Sequence, residues 1–367
     1  MSDLRHNWTK EEILEIYNRP LMNLIYDAAT MHRKYHDPNE VQISSLLSVK
    51  TGGCSEDCSY CPQAARYQTE VEAQGLMAVE DVLAAAKNAK EGGASRMCLG
   101  AAWREVRDNR DFDNVLEMVK EINEMDMEVC CTLGMLSEEQ AQRLADAGLY
   151  AYNHNIDTSE ENYGEIISTR TFDDRIGTHS HVRKAGVTLC SGGIIGLGES
   201  LEDRAGMLMT LANSSKHPES VPINALVPVE GTPLEEQEKV SIWEMVRMVA
   251  TARLVMPASV IRLSAGRKDM NEEGQAFCFM AGASSIFAGD KLLTTPNPEK
   301  NEDVQLFKTL GLRPKAPFTD GEKPVTNDNY KISKKKLEQE AKMKAWREEH
   351  KNKSAEERLM NITEVEK

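Results

Sequence analysis

The stretch SSLLSVKTGGCSEDCSYCPQ, residues 44–63, is a β-like run that breaks into a loop with three cysteines in eight positions: Cys54, Cys58 and Cys61. An open doubly wound sheet would carry a glycine fingerprint after its first strand. A thiol-rich loop stands in that place instead. Zinc and structural iron–sulfur sites want four protein ligands, so three on one loop leave a position to something else.

Working outward, seven more β-like runs follow: SRMCLG (95–100), MEVCCTLG (127–134), AYNHNID (151–157), VTLCSG (187–192), PINALV (222–227), SVIRLS (259–264) and SSIFAG (284–289). Helical patterns lie between them. Ser137 with Gln140 reads as a capping box for a helix that Gly148 ends; Ser241 with Glu244 opens another before Pro257, and Gly92 and Gly186 close two more. Eight β/α steps predict a (β/α)8 TIM-type barrel over residues 41–314. Residues 1–40 read as an N-terminal helical cap, with Trp8, Ile13, Ile16, Leu21, Leu24 and Ile25 at roughly helical spacing. Residues 315–367 are dense in Lys and Glu and read as a charged C-terminal tail, flexible or helical, with no catalytic role.

Bulk composition narrows the function classes. Of 367 residues 40% are apolar and 28% charged, with a net charge of −15, which disfavours a nucleic-acid partner. The N-terminus has neither a secretory h-region nor the look of a transit peptide. No run approaches the ~18 apolar residues of a membrane span, so a soluble, cytoplasmic protein is expected. In that compartment the eight cysteines are not a disulfide framework. Metal binding becomes the leading use for clustered ones.

Strand parity predicts what faces the barrel interior. With Met97, Leu99, Met127, Val129, Cys131, Leu133, Val187, Leu189, Ile261 and Leu263 turned to the helices, the inside receives Arg96, Cys98, Gly100, Glu128, Cys130, Thr132, Cys190 and Arg262. Of the adjacent pair at 130 and 131, parity chooses Cys130. The other strands add Ser44, Ser48, Asn153, Asn155, Asp157 and Asn224, with His154 outside. Barrel interiors are ordinarily filled with Val, Ile and Leu, so this polar, thiol-bearing set points to bound groups. A lone strand cysteine reads as a small buried hydrophobe, and Cys131 and Cys278 keep that reading.

Thiolates on one loop suit three corners of a [4Fe–4S] cube, leaving the fourth iron open; a zinc site would show a second Cys/His pair, and none follows. The spacing Cys-x3-Cys-x2-Cys, with Tyr60 before its last cysteine, resembles the signature of the radical S-adenosylmethionine (SAM) enzymes. That resemblance implies that SAM occupies the open iron and that an electron from the cluster cleaves it to a deoxyadenosyl radical.

From about residue 7 to 312 the chain resembles the biotin synthase family within that superfamily. The likeness is carried by KTGGCSEDCSYCPQ, CLGAAW (98–103), YNHNIDTS (152–159), STRTFDDR (168–175), CSGGIIGLGE (190–199), VPINALVPVEGTPL (221–234), RLSAGR (262–267) and MAGASSIF (280–287). It implies sulfur insertion into dethiobiotin, the last step of biotin formation, with SAM, a [4Fe–4S] cluster on Cys54, Cys58 and Cys61, and a sulfur-donating [2Fe–2S] cluster on Cys98, Cys130, Cys190 and Arg262. It further implies SAM contacts at Tyr60, Asn155, Asp157 and Arg175, and ureido-ring contacts at Asn153 and Asn224. Ser44 and Arg96 are candidate neighbours of the second cluster. The partners implied are a flavodoxin/ferredoxin electron donor, the iron–sulfur assembly machinery and a second copy in a homodimer. A radical SAM enzyme without sulfur insertion would not need the second cysteine set. Lipoyl synthase carries an extra N-terminal cysteine motif, and no cysteine precedes Cys54. A non-catalytic redox protein would have little use for an interior lined with asparagines.

Overall fold

In the computed structural model, which describes residues 4–331 except 290 and 299 together with 342 and 344–346, the β-like runs form parallel strands. These are β1 (Glu40–Lys50), β2 (Arg96–Ala101), β3 (Glu128–Thr132), β4 (Ala151–Asn153), β5 (Thr188–Cys190), β6 (Ser220–Ala225), β7 (Val260–Leu263) and β8 (Ala283–Ala288). Neighbours pair in chain order and β1 pairs with β8, so the sheet closes into a barrel of eight. Among the described residues no helix is long and apolar enough to cross a membrane.

The helices are α1 (Lys10–Tyr17), α2 (Leu21–Tyr35), α3 (Val79–Glu91), α4 (Arg110–Glu124), α5 (Glu138–Asp146), α6 (Glu160–Ile166), α7 (Phe172–Lys184), α8 (Leu201–Ala212), α9 (Ile242–Val255), α10 (Glu272–Met280) and α11 (Lys300–Leu310). Ser137 and Gln140 make the capping box that opens α5, and Ser241 caps α9. Gly148 ends α5 with φ +92°, a conformation that glycine adopts without a Cβ penalty. Ile13, Ile16, Leu24 and Ile25 of α1 and α2 bury their apolar stripe in the core shared with α8 and α9.

Core segregation follows strand parity. Met97, Leu99, Val129, Cys131, Leu133 and Leu189 join the layer between strands and helices, whereas Cys98, Cys130 and Cys190 fall in a separate interior cluster with Tyr150, Phe287 and Leu292. Cys278 lies in the apolar core around α9 and α10.

Three local features differ from the sequence reading. Strand β1 begins at Glu40, four residues before the expected start. Strand β4 ends at Asn153, and Asp157, with φ +67°, bridges to a short extra strand, Gly193–Ile195, that pairs with β6. A small antiparallel hairpin, Lys291–Leu292 with Thr295–Pro296, stands at the barrel mouth.

Past residue 312 the chain runs back under the barrel. Arg313 and Pro314 pair with Glu40 and Val41 of β1. Phe318 packs against the interior cluster, its ring edge-on to Tyr150 with centroids 5.6 Å apart, and buried Tyr330 donates to Glu117 at 3.0 Å. The Lys- and Glu-dense stretch beyond Lys331 lies outside the described residues, apart from 342 and 344–346.

Candidate active site

One cavity of about 330 Å³ joins the cysteine loop at the mouth of the barrel to its interior, touching Cys54, Cys58 and Cys61 at one end and Cys98, Cys130 and Arg262 at the other. The deep set is a product of register. Cys98 on β2 lies beside Cys130 on β3, and Asn153 on β4 lies beside Cys190 on β5. The Cys130 thiol hydrogen-bonds towards both other cysteines, an interaction that lowers Cys98 and Cys190 against the effect of burial, with Arg262 and Arg96 adding to it. Cys130, the shared partner, is correspondingly raised.

Arg262 is held from behind. Its Nε donates to Ser285 Oγ at 2.9 Å, and its Nη2 donates to Gln42 Oε1 at 3.0 Å and to Ser44 Oγ at 3.3 Å. The remaining nitrogen, Nη1, faces Cys190 Sγ at 3.8 Å. Arg96 pairs with Glu128 through Nε at 2.8 Å and Nη2 at 2.7 Å, while its buried Nη1 has no hydrogen-bond partner among the described residues.

At the mouth the loop is pinned by its acidic residues. Asp57 accepts the backbone N–H groups of Ser168 and Thr169 at 2.9 and 3.1 Å, and also their hydroxyls. As bare thiols the three loop cysteines are pushed up by burial, Cys61 to about 11 and Cys58 to about 12. Iron has to displace those protons on binding. Among the described residues no three or more His, Cys, Asp or Glu groups converge as the shell of one ion would. In a polynuclear cluster the thiolates sit on separate corners, each on its own iron.

Between the two sets, Asn153, Asn155, Asp157, Arg175, Tyr60 and Asn224 all line the cavity. Arg175 forms a buried ion pair with Asp157 and donates to Tyr163 Oη at 2.9 Å and to the Asn155 carbonyl at 2.7 Å. Asn153 donates to Cys190 Sγ at 3.2 Å and to Asn155 Oδ1 at 3.2 Å, which places it directly above the deep thiols. Asn224 is tied to backbone at both ends, donating to the Gly193 carbonyl at 2.9 Å and accepting from the Ala265 N–H at 3.1 Å. Each end of its amide keeps one further donor or acceptor for a ligand. Ser48 bonds locally to Thr51 and is not part of the cavity wall.

Several residues at or behind the cavity wall escaped the sequence reading. Gln42 and Ser285 lie side by side on β1 and β8 and both engage Arg262. Extending the first strand by two residues at period two would have placed Gln42 inside. Arg170 is buried beside Glu56 at 3.7 Å and leaves Nε and Nη1 without a hydrogen bond among the described residues. The hairpin tip, Leu293 and Thr294, reaches over the mouth, and no sequence pattern marks it.

The residues fit the groups that the thiols call for. Unspent donors on Arg170 suit an anionic group at the mouth, such as the carboxylate of SAM, and that on Arg96 suits the sulfide and thiolate charge of a cluster in the interior. A parallel barrel with a three-cysteine loop after its first strand and a polar, thiol-bearing interior defines a radical SAM enzyme. Residues 48–211 match the radical SAM superfamily and 222–313 the biotin and thiamin synthesis associated domain. Among solved structures, methylornithine synthase shares the fold with a TM-score of 0.71 at 19% identity, over 84% of this chain and 94% of that one. The hydrogenase maturase HydG of Carboxydothermus hydrogenoformans does so with a TM-score of 0.71 at 17%, over 86% and 77%.

Sequence relatives are far nearer. The biotin synthase of Flavobacterium psychrophilum is 66% identical over 89% of this chain and 90% of its own length, and that of Christiangramia forsetii is 64% identical over 95% of each. The chain belongs to the biotin synthase family.

Proposed function

We propose that this protein converts dethiobiotin to biotin, inserting sulfur between two unactivated carbons inside a barrel that holds two iron–sulfur clusters. The observation that carries the reading is two separate thiol sets joined by one cavity: three cysteines line its mouth, and Cys98, Cys130 and Arg262 line its far end, with Cys190 clustered behind them. When bound, the mouth cluster with SAM supplies a deoxyadenosyl radical, and the interior [2Fe–2S] cluster supplies the sulfur.

The chain's own work is to hold, orient and exclude. Cys54, Cys58 and Cys61 hold the mouth cluster, and Cys98, Cys130 and Cys190 hold the interior one. Arg262 as its fourth ligand is carried over from the family, and the approach of Nη1 to Cys190 supports it. Arg175 fixes the Asp157 carboxylate beside Asn155, where the remaining lone pairs accept from ribose hydroxyls. Tyr60 completes the SAM wall. Asn153 and Asn224 offer amide donors and acceptors to the ureido ring, and Asn153 sets that ring above the sulfur donor. Enclosure by barrel and hairpin keeps water and stray hydrogen donors from a primary radical. Eight free cysteines suit work in the reducing cytoplasm. On the family's pattern, a flavodoxin or ferredoxin system supplies electrons, the iron–sulfur assembly machinery supplies clusters, and two copies form a homodimer.

Anaerobic reconstitution with iron and sulfide, followed by reductant, SAM and dethiobiotin, tests the proposal by counting deoxyadenosine and biotin together. Both products appear, deoxyadenosine only with reductant. Cys98→Ala retains deoxyadenosine formation and makes no biotin, whereas Cys58→Ala makes neither. Biotin from the Cys98 variant would overturn the sulfur-donor assignment.

A further inference from the structure

Gln42 is 2% exposed and sits between two charged groups of opposite sign. Its Oε1 accepts from Arg262 Nη2 at 3.0 Å, and its Nε2 donates to Glu128 Oε2 at 3.0 Å. A guanidinium can only donate and an ionised carboxylate can only accept, so the two neighbours together dictate a side chain with one acceptor end and one donor end. Glutamate in this place would set two carboxylates against each other, and lysine would face a guanidinium. Methionine would fill the volume and leave both partners short of a bond.

Glu128 is itself anchored on two further sides. Arg96 holds Oε2 through Nε and Nη2, and the N–H of Phe318 donates to Oε1 at 2.7 Å. A continuous set of buried polar contacts therefore runs from the chain beneath the barrel, through Glu128 and Gln42, to the guanidinium that faces Cys190. Low dielectric makes every link in such a set costly to leave unmade.

We infer that Gln42 is a positioning residue for the interior cluster: it fixes Arg262 so that Nη1 alone points at the thiols, and it couples that arginine to Glu128 and the segment around Phe318. Ser285 and Ser44 engage the same guanidinium but cannot reach the carboxylate. Gln42 is the residue that links the two charges. The inference rests on the assignment of the interior thiols and Arg262 to a [2Fe–2S] cluster.

The test reads the cluster itself. Parent, Gln42→Met and Gln42→Glu are reconstituted, and each is followed by visible circular dichroism of the oxidised protein and by the rate of iron loss to a chelator. Gln42→Met should change the [2Fe–2S] dichroism and lose that cluster about 10-fold faster, the scale on which groups behind a metal ligand act. Reductive SAM cleavage at the mouth should stay at the parent rate. Gln42→Glu should be worse than Gln42→Met, because it sets a second carboxylate against Glu128. A Gln42→Met protein with parent dichroism and parent iron retention overturns the inference, as does a Gln42→Glu protein no worse than Gln42→Met. Failure of the parent itself to take up a [2Fe–2S] cluster would instead overturn the cluster assignment.

Discussion

The Asp57 carboxylate accepts the backbone N–H of Ser168 at 2.9 Å, tying the cysteine loop to a point 111 residues further along the chain. Burial alone would push this carboxyl up; the hydrogen bonds from Ser168 and Thr169 overcome it and hold it down at about 2. Asp57 lies next to Cys58, so the cysteine loop is fastened at its centre to the turn before α7.

Asp57→Ala removes a charged acceptor and leaves two part-buried N–H groups without their partner, at a cost of about 1 kcal/mol. The expected outcome is a protein that folds, keeps its interior cluster and loses the mouth cluster roughly 10-fold faster to a chelator. Absorbance decay under anaerobic chelation measures it, and a decay equal to the parent's would show the tie to be dispensable.

The adjacent cysteines 130 and 131 separate by a single step of strand parity. Cys131 is fully buried among Val129, Leu133 and the α4 face, so Cys131→Val should cost under about 1.5 kcal/mol and leave both clusters in place. Cys130→Val should fold equally well and bind no [2Fe–2S] cluster. Iron counts together with urea midpoints distinguish the two, and equal iron loss from both variants would contradict the parity argument.

Acid stability has an identifiable contribution far from the clusters. His32, on α2, is lowered to about 3 and His36, just after it, to about 4, first by burial and then by the guanidinium of Arg253. Arg253 Nη1 approaches His36 Nε2 at 2.8 Å, a contact that the neutral ring can accept. Because both folded values lie below the unfolded one, the unfolded chain takes up protons first as pH falls. Stability is therefore complete above about pH 6.5 and declines from there towards pH 4, at up to about 1.4 kcal/mol per pH unit for each ring. Replacing both by glutamine should flatten that slope in urea titrations between pH 6.5 and 4, whatever it does to stability at pH 8.

Tyr330 is buried, donates to Glu117, and its carbonyl accepts from Arg143 Nε at 2.9 Å. Tyr330→Ala should cost about 3 kcal/mol at unchanged urea m-value if the segment below the barrel melts with it. A much smaller loss would mean that the segment detaches on its own.

How far the sequence discloses this molecule depends on what period and parity can carry. The eight strands and the inward set of Cys98, Cys130, Cys190 and Arg262 were legible because apolar residues occupy the alternate positions and glycines and N-caps punctuate the helices. Gln42 is missed when the strand is started at Ser44, although Val41 and Ile43 alternate with Glu40, Gln42 and Ser44 and carry the period-two pattern back to Glu40. Gly193–Ile195 follows β5 after two residues in a glycine-flanked run with no polar residue alternating, so no period marks it as a separate strand. The packed stretch to Lys331 was hidden by its polarity: only Phe318 and Tyr330 are large anchors, and its remaining bonds go to backbone, to buried Glu128 and to surface carboxylates.

The floor of the barrel has a consequence for time rather than for space. With Phe318 and Tyr150 packed beneath the thiols and the Arg96–Glu128 pair beside them, the interior is a cul-de-sac among the described residues, approached past Cys54, Cys58 and Cys61. Whatever is stored deepest has to arrive first. On the two-cluster reading proposed above, a chain charged in the wrong order would hold its late components in the doorway of the early ones, and refilling the sulfur store after a turnover would require the mouth to be vacated.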